Sequence, residues 1–306
     1  MTGLADTLAA ALGGPVRDLR RLSAGAHRET WSFVAHDGRE CIAQRMPSSD
    51  GVHAELETEL AILGVAAEAG VPVARVLARL QDGFVVEHVQ GESLPQRIMR
   101  DDRYAAARNG LASQAGQILA RLHEIPTDAI PGLTPLDPID RCHEVLERLN
   151  ASSPAFELVL RRLALDRPAP RPQTVVHGDF RLGNMLIDER GIAAVLDWEL
   201  VHLGDPLEDL GYLCVPAWRF GGSEPVAGAG AYRALIDAYR DGGGGDVELD
   251  ELLWWQTAST VWWGVLCLVQ ASRHLMGQTR SVELAAIGRR ACEQEWDALA
   301  MLGELA

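Results

Sequence analysis

An apolar pair, Val175-Val176, runs into His177-Gly178-Asp179-Phe180-Arg181-Leu182-Gly183-Asn184, and a second, Val195-Leu196, runs into Asp197-Trp198-Glu199. Two apolar strands that each end in a carboxylate, with an asparagine opening the hairpin between them, would gather Asp179, Asn184 and Asp197 at one edge of a small sheet. Transfer of a phosphoryl group from a nucleotide needs that set. Asp179 can accept a hydroxyl proton, while Asn184 and Asp197 offer hard oxygen ligands to Mg²⁺. Glu199, two residues on and on the same face of an extended segment, can support a second metal ion. Arg181 can neutralise charge on the transferring γ-phosphoryl group. Helix caps and turn carboxylates would account for any one of these residues, but not for the set at this spacing.

Composition narrows the partners. The 306 residues carry 28 basic and 43 acidic side chains, a net charge of −15, and 47% are apolar. That apolar share can bury a large core, and at about 150 residues per domain the length suits one large domain or two modest ones. The negative charge argues against binding nucleic acid or an anionic membrane, either of which would repel it. Every basic residue is arginine. The absence of lysine excludes a Walker A loop, a Schiff-base enzyme and a lysine general base. Five scattered cysteines, with no CxxC or Cys/His spacing, fit buried thiols in a reducing compartment. The apolar N-terminus lacks a basic region, so a signal peptide is not expected. Leu252 to Val269 is interrupted by Gln256, Thr257, Ser259 and Thr260, so it reads as a buried helix rather than a membrane span. A cytoplasmic protein is expected.

The elements that must position these residues are legible in outline. Thr30–Ala35 and Glu40–Met46 read as strands joined through Asp37-Gly38. His53–Ala69 reads as a helix ending at Gly70, and Val73–Leu80 with Gly83–Val89 as a further strand pair. Beyond Gly91 the pattern turns helical, over 102–125 and over 138–165 with a break at Ser152-Ser153-Pro154. Asn184–Ile187 and Ile192–Leu196 form another hairpin, and the remainder is helical apart from glycine-rich loops. The expectation is an α+β, bilobal fold. Residues 1–90 would be a small nucleotide-binding lobe with an antiparallel sheet and one helix, and residues 91–306 a large, mainly helical lobe for catalysis and the acceptor.

HGDFRLGN (177–184), LDWE (196–199) and HLGDPLEDLGYL (202–213) resemble the aminoglycoside phosphotransferase family, a branch of the protein-kinase-like fold. The likeness extends to its bacterial members and to the phosphotransferase-like domains fused to some acyl-CoA dehydrogenases. It implies Asp179 as catalytic base, Asn184 and Asp197 as Mg²⁺ ligands, and ATP or GTP as donor; the D-x4-N step also matches the kinase catalytic loop. Leu22–Thr30, with Ser23, Gly25 and Thr30, resembles the family's phosphate-covering loop. Val85–Gly91 resembles the hinge, where backbone groups of Glu87 to Val89 would hold adenine.

The departure is at the lysine of the third strand, which kinase-like folds set against the α- and β-phosphates and a helix glutamate. Here the strand reads Ile42-Ala43-Gln44-Arg45-Met46, and alternation puts Arg45 on one face and Gln44 on the other. The phosphate role is assigned to Arg45, with Gln44 the alternative under a one-residue slip. Glu59 is the expected helix partner and Glu55 the alternative. Asp205 is expected to cap the helix begun at Pro206, and Asp209 to brace the catalytic loop. Trp254, Trp255, Trp262 and Trp263 recur at helical spacing, as core or as the wall of an acceptor pocket.

The function expected is an ATP- and Mg²⁺-dependent kinase acting on a hydroxyl of a small molecule. One rival is a non-catalytic nucleotide-binding module, which would not need Asp179. The other is a metallohydrolase using His177, Asp179, Asp197, His202 and Asp205, which would need no kinase-like interval. A metabolite is the favoured acceptor, with hydroxyacyl thioesters and aminoglycoside-like alcohols as classes that the resemblance admits.

Overall fold

The computed structural model describes residues 2–24, 29–45 and 56–303. Helix α1 (Thr2–Leu12) precedes strands β1 (Arg17–Ala24), β2 (Glu29–Val34) and β3 (Glu40–Arg45), then α2 (Leu56–Glu68), β4 (Val76–Leu80) and β5 (Gly83–Glu87). The five strands form one antiparallel sheet in the order β1-β2-β3-β5-β4. Its two faces differ in what covers them. Cys41, Ala43, Phe33 and Val85 meet Leu8 of α1 on one face. On the other, Phe84 and Val86 join the main core with Ile62, Leu63 and Ala66 of α2.

The larger part is helical: α3 (Pro95–Arg100), α4 (Ala105–His123), α5 (Pro138–Arg148) and α6 (Pro154–Leu165), then, beyond four short strands, α7 (Leu207–Leu213), α8 (Tyr232–Tyr239), α9 (Leu249–Leu275), α10 (Val282–Arg289) and α11 (Ala291–Leu302). The break between α5 and α6 has a local cause. Pro154 opens α6, and the Ser153 hydroxyl accepts from the Phe156 amide at 3.1 Å, an N-cap. Helix α9 runs through the lobe against α7, α10 and α11. Among the described residues it alone is long and apolar enough to cross a membrane, yet 72% of its apolar window is buried in the protein. Helix α7 approaches it closely at Gly211, where a Cβ would come 2.6 Å from the Trp255 carbonyl carbon.

The four short strands make two pairs. β6 (Thr174–Val176) pairs with β9 (His202–Gly204), and β7 (Met185–Ile187) with β8 (Ile192–Val195). Between them run the two connecting segments that carry the candidate chemistry.

Candidate active site

The loop that carries Asp179 is held from beneath by one buried carboxylate. Asp209, on α7, accepts from the His177 amide at 2.8 Å and from the Gly178 amide at 3.0 Å. Its third partner is His123 Nε2, 3.2 Å away, whose Nδ1 meets the Tyr239 hydroxyl at 2.9 Å. The His177 ring stacks obliquely on Trp198 and reaches the Leu196 carbonyl at 3.0 Å, joining the two polar segments. Gly178 has a left-handed φ of +80°, and a Cβ there would stand 2.5 Å from the Leu200 carbonyl oxygen. Only glycine lets the chain turn at that point.

Above this brace, Asp179 is fixed on both carboxylate oxygens. Oδ1 accepts from Arg181 Nε at 2.9 Å, and Oδ2 accepts from Asn184 Nδ2, which also donates to the Asp179 carbonyl at 3.0 Å. The Asn184 carbonyl in turn accepts from the Leu196 amide at 2.8 Å, beside Asp197. Asp197 is a non-glycine residue with φ +65°, a conformation that Asp tolerates and that recurs at functional sites. Glu199 follows, half-buried. Arg181 lies with its guanidinium 4.7 Å from the centre of the Trp218 ring. Burial works against its charge, but the Asp179 and Asp197 carboxylates hold its pKa above the ordinary value. Asp179, Arg181, Asn184 and Asp197 therefore converge.

Tyr212 and Trp218 are neighbours that the sequence did not single out. Burial, reinforced by the Asp179 carboxylate, pushes the Tyr212 phenol well above its ordinary range, so it stays protonated. Beneath them, Glu208 meets Arg141 at 2.7 Å and His202 at 3.2 Å. Burial opposes its charge, yet these two partners hold its pKa down to about 2. Asp205 caps α7 through the Leu207 amide at 2.9 Å, as expected. Trp254, Trp255 and Trp262 are core, while Trp263 packs on Trp218 at 4.6 Å between ring centres.

The structure corrects the expected role of Arg45. Directly opposed residues of an antiparallel pair project to the same face. Gln44 stands opposite Phe84 and Ile42 opposite Val86, so both belong to the face covered by α2. Arg45 stands opposite Gly83, at the end of β3. Its guanidinium donates to Asp82 (Nε–Oδ2 3.0 Å), with Glu29 at 3.7 Å, instead of meeting Glu59. Glu59 is 1% exposed on the α2 face that carries Ile62, Leu63 and Ala66. Gln44, and not Arg45, thus shares the sheet face that α2 covers, and Thr30 lies across from it on β2.

Ser23 pairs with Thr30 across β1 and β2, and Gly25 and Glu55 lie outside the described residues. At the expected hinge, the Glu87 amide is taken by the Arg75 carbonyl and the His88 amide by the Glu40 carbonyl, each at 3.0 Å. Among the described residues the Val89 amide makes no backbone hydrogen bond outside the helices and strands.

Arg45→Ala should leave the KM for ATP within about twofold, because a part-exposed ion pair contributes under about 1 kcal/mol. Gln44→Ala should raise it roughly fivefold, the scale of one lost hydrogen bond. Initial rates at varied ATP check both, and the reverse pattern would return the role to Arg45.

Comparison with known proteins gives a consistent picture. The model of the phosphotransferase enzyme family matches residues 18–246. Acyl-CoA dehydrogenase family member 10 of Mus musculus is 29% identical over 236 residues, which are 70% of this chain and 21% of that protein. The chain thus spans about a fifth of that relative's length. Among solved structures, a candidate aminoglycoside phosphotransferase from Ralstonia eutropha superposes with a TM-score of 0.76 at 20% identity, over 98% of both chains. Spectinomycin phosphotransferase in complex with ADP and spectinomycin gives 0.67 at 12% identity, over 97% of this chain and 98% of that one. These two share the bilobal fold.

Proposed function

The chain belongs to the phosphotransferase enzyme family, and we propose that it transfers the γ-phosphoryl group of ATP or GTP to a hydroxyl of a small molecule. The observation that carries this reading is the fixation of Asp179 by both Arg181 and Asn184 beside Asp197. Each Asp179 oxygen keeps a lone pair beyond the bond it already accepts, so the carboxylate can take the proton of an incoming hydroxyl. Arg181, stacked on Trp218, places a permanent charge beside the transferring group. Gln44 and Glu59 border the phosphates, and Val89 the adenine.

The donor set fits Mg²⁺. Asn184 spends its amide nitrogen on Asp179, which leaves its side-chain oxygen for a hard cation alongside the Asp197 carboxylate, with Glu199 as a further ligand. When bound, Mg²⁺ would neutralise charge on the phosphate oxygens. The relatives' name makes a hydroxyacyl thioester the first acceptor to test, ahead of an aminoglycoside.

Thermal unfolding with ATP, with Mg²⁺ and with both tests the donor half. Both together should stabilise by about 2.7 kcal/mol at 100-fold excess over Kd. The Asp197→Ala variant should lose that gain. Labelled ATP should pass its γ-phosphate to a hydroxylated acceptor; ATP binding without transfer to any hydroxyl would favour a non-catalytic module instead.

A further inference from the structure

Tyr212 is fully buried on α7, and among the described residues its hydroxyl has no hydrogen-bond partner. A buried hydroxyl left unpaired lowers stability and calls for an account. Two neighbours place it. Asp209, three residues earlier on the same helix, accepts from the His177 and Gly178 amides. Residues three apart share a helix face, so Tyr212 stands on the side of α7 that meets the loop, where Asp179 follows Gly178. Its ring centre lies 5.7 Å from that of Trp218, and the Arg181 guanidinium lies 4.7 Å from the same Trp218 ring. Arg181 and Tyr212 thus share one aromatic support. Burial beside the Asp179 carboxylate keeps the phenol protonated, so it has a proton to donate.

Arg181 is needed in two places. Its Nε is spent on Asp179 Oδ1 at 2.9 Å, while the proposed transfer needs the same guanidinium beside the transferring group. Arginine meets phosphate through a fork of two parallel bonds, and turning that fork to a phosphate takes Nε from the carboxylate. Asn184 then holds Oδ2 alone. A carboxylate fixed through one oxygen can rotate, and the lone pair that faces the acceptor hydroxyl rotates with it.

We propose that Tyr212 is a positioning residue that takes over Oδ1 of Asp179 when Arg181 turns to the phosphate. In the unliganded chain Arg181 occupies that oxygen and the phenol stands unpaired. With nucleotide bound the phenol donates to Oδ1, so both oxygens of Asp179 stay fixed while one lone pair receives the proton. This handover rests on the phosphotransferase reading and names what holds its base.

The chain has four tyrosines, Tyr104, Tyr212, Tyr232 and Tyr239, few enough to follow one by one. Full-length protein labelled with ¹³C at tyrosine Cζ gives one line for each, and Tyr212→Phe identifies the Tyr212 line. Saturating Mg·AMP-PNP should move that line downfield, as a phenol that begins to donate does. In Arg181→Met the line should stand at the shifted position without nucleotide. Tyr212→Phe should cut turnover about tenfold, the scale of one hydrogen bond to a charged group. It should not lower the Tm of the unliganded protein, because the hydroxyl it removes is unpaired. In the Arg181→Met background the same change should lower the Tm by about 3 °C, because there the phenol already donates. A Tyr212 line unmoved by Mg·AMP-PNP, native turnover in Tyr212→Phe, or an equal loss of Tm in both backgrounds would each overturn the handover. The nucleotide titration of the native chain decides alone if Arg181→Met does not fold. Failure of the native chain to bind Mg·AMP-PNP by calorimetry would instead strike the phosphotransferase reading beneath it.

Discussion

Asp179→Asn should cut turnover by roughly 10²-fold or more while leaving the affinity for Mg·ATP largely intact. The substitution keeps the shape of the side chain and removes the carboxylate proposed to take the proton. It also removes the charge that holds Arg181, whose Nε lies 2.9 Å from Oδ1. An amide at this position can still accept from Arg181 or from Asn184, but not from both with its oxygen alone. The loss therefore combines chemistry and positioning, and at 10²-fold it amounts to about 2.7 kcal/mol of transition-state stabilisation. Transfer of labelled phosphate measures the rate, and calorimetry with Mg·AMP-PNP measures the binding. A native rate in a variant that binds the nucleotide normally would remove Asp179 as the base.

The polar core of this site was legible in the sequence because its residues lie within two short segments. The D-x4-N step and the carboxylate after Val195-Leu196 fix their own geometry through local hairpins. The α5–α6 break was likewise written in a local Ser-Pro cap. Other features depend on what packs where. Alternation along β3 separated Gln44 from Arg45 but could not say which helix covers which face. Leu8 of α1 covers the Ala43 face, and α2 covers the other. Neither helix announces its partner in its sequence.

Strand β1 was missed for a related reason. Its residues, RDLRRLSA, are mostly charged or polar, as an edge strand can be, and Asp18 interrupts it with φ +57°. The β6–β9 pairing joins three residues on each side across a long connection, so no hairpin signal exists for it.

Asp209→Ala should be the most damaging single change to the fold around the site. Asp209 is fully buried, and its two oxygens serve three donors: the His177 and Gly178 amides and His123 Nε2. The His123 ring meets the Tyr239 hydroxyl at Nδ1 and Asp209 at Nε2, so both of its nitrogens have partners. Alanine would leave the two amides and the imidazole N–H buried without acceptors, at a cost of roughly 3–5 kcal/mol. Chemical denaturation should register that loss as a lower midpoint with an unchanged slope. Asp209→Asn is the finer probe, because it preserves volume but replaces one acceptor with a donor facing an N–H. Its stability should fall by about 1–3 kcal/mol. Its turnover should fall while its affinity for Mg·ATP holds, since the displaced residue is Asp179 and not the nucleotide wall. Tyr239→Phe supplies the comparison, removing only the outer link and leaving Asp209 to hold the loop. If Asp209→Asn kept both native stability and native turnover, the loop would be positioned by the His177–Leu196 and Asn184–Leu196 bonds alone, and Asp209 would be a bystander.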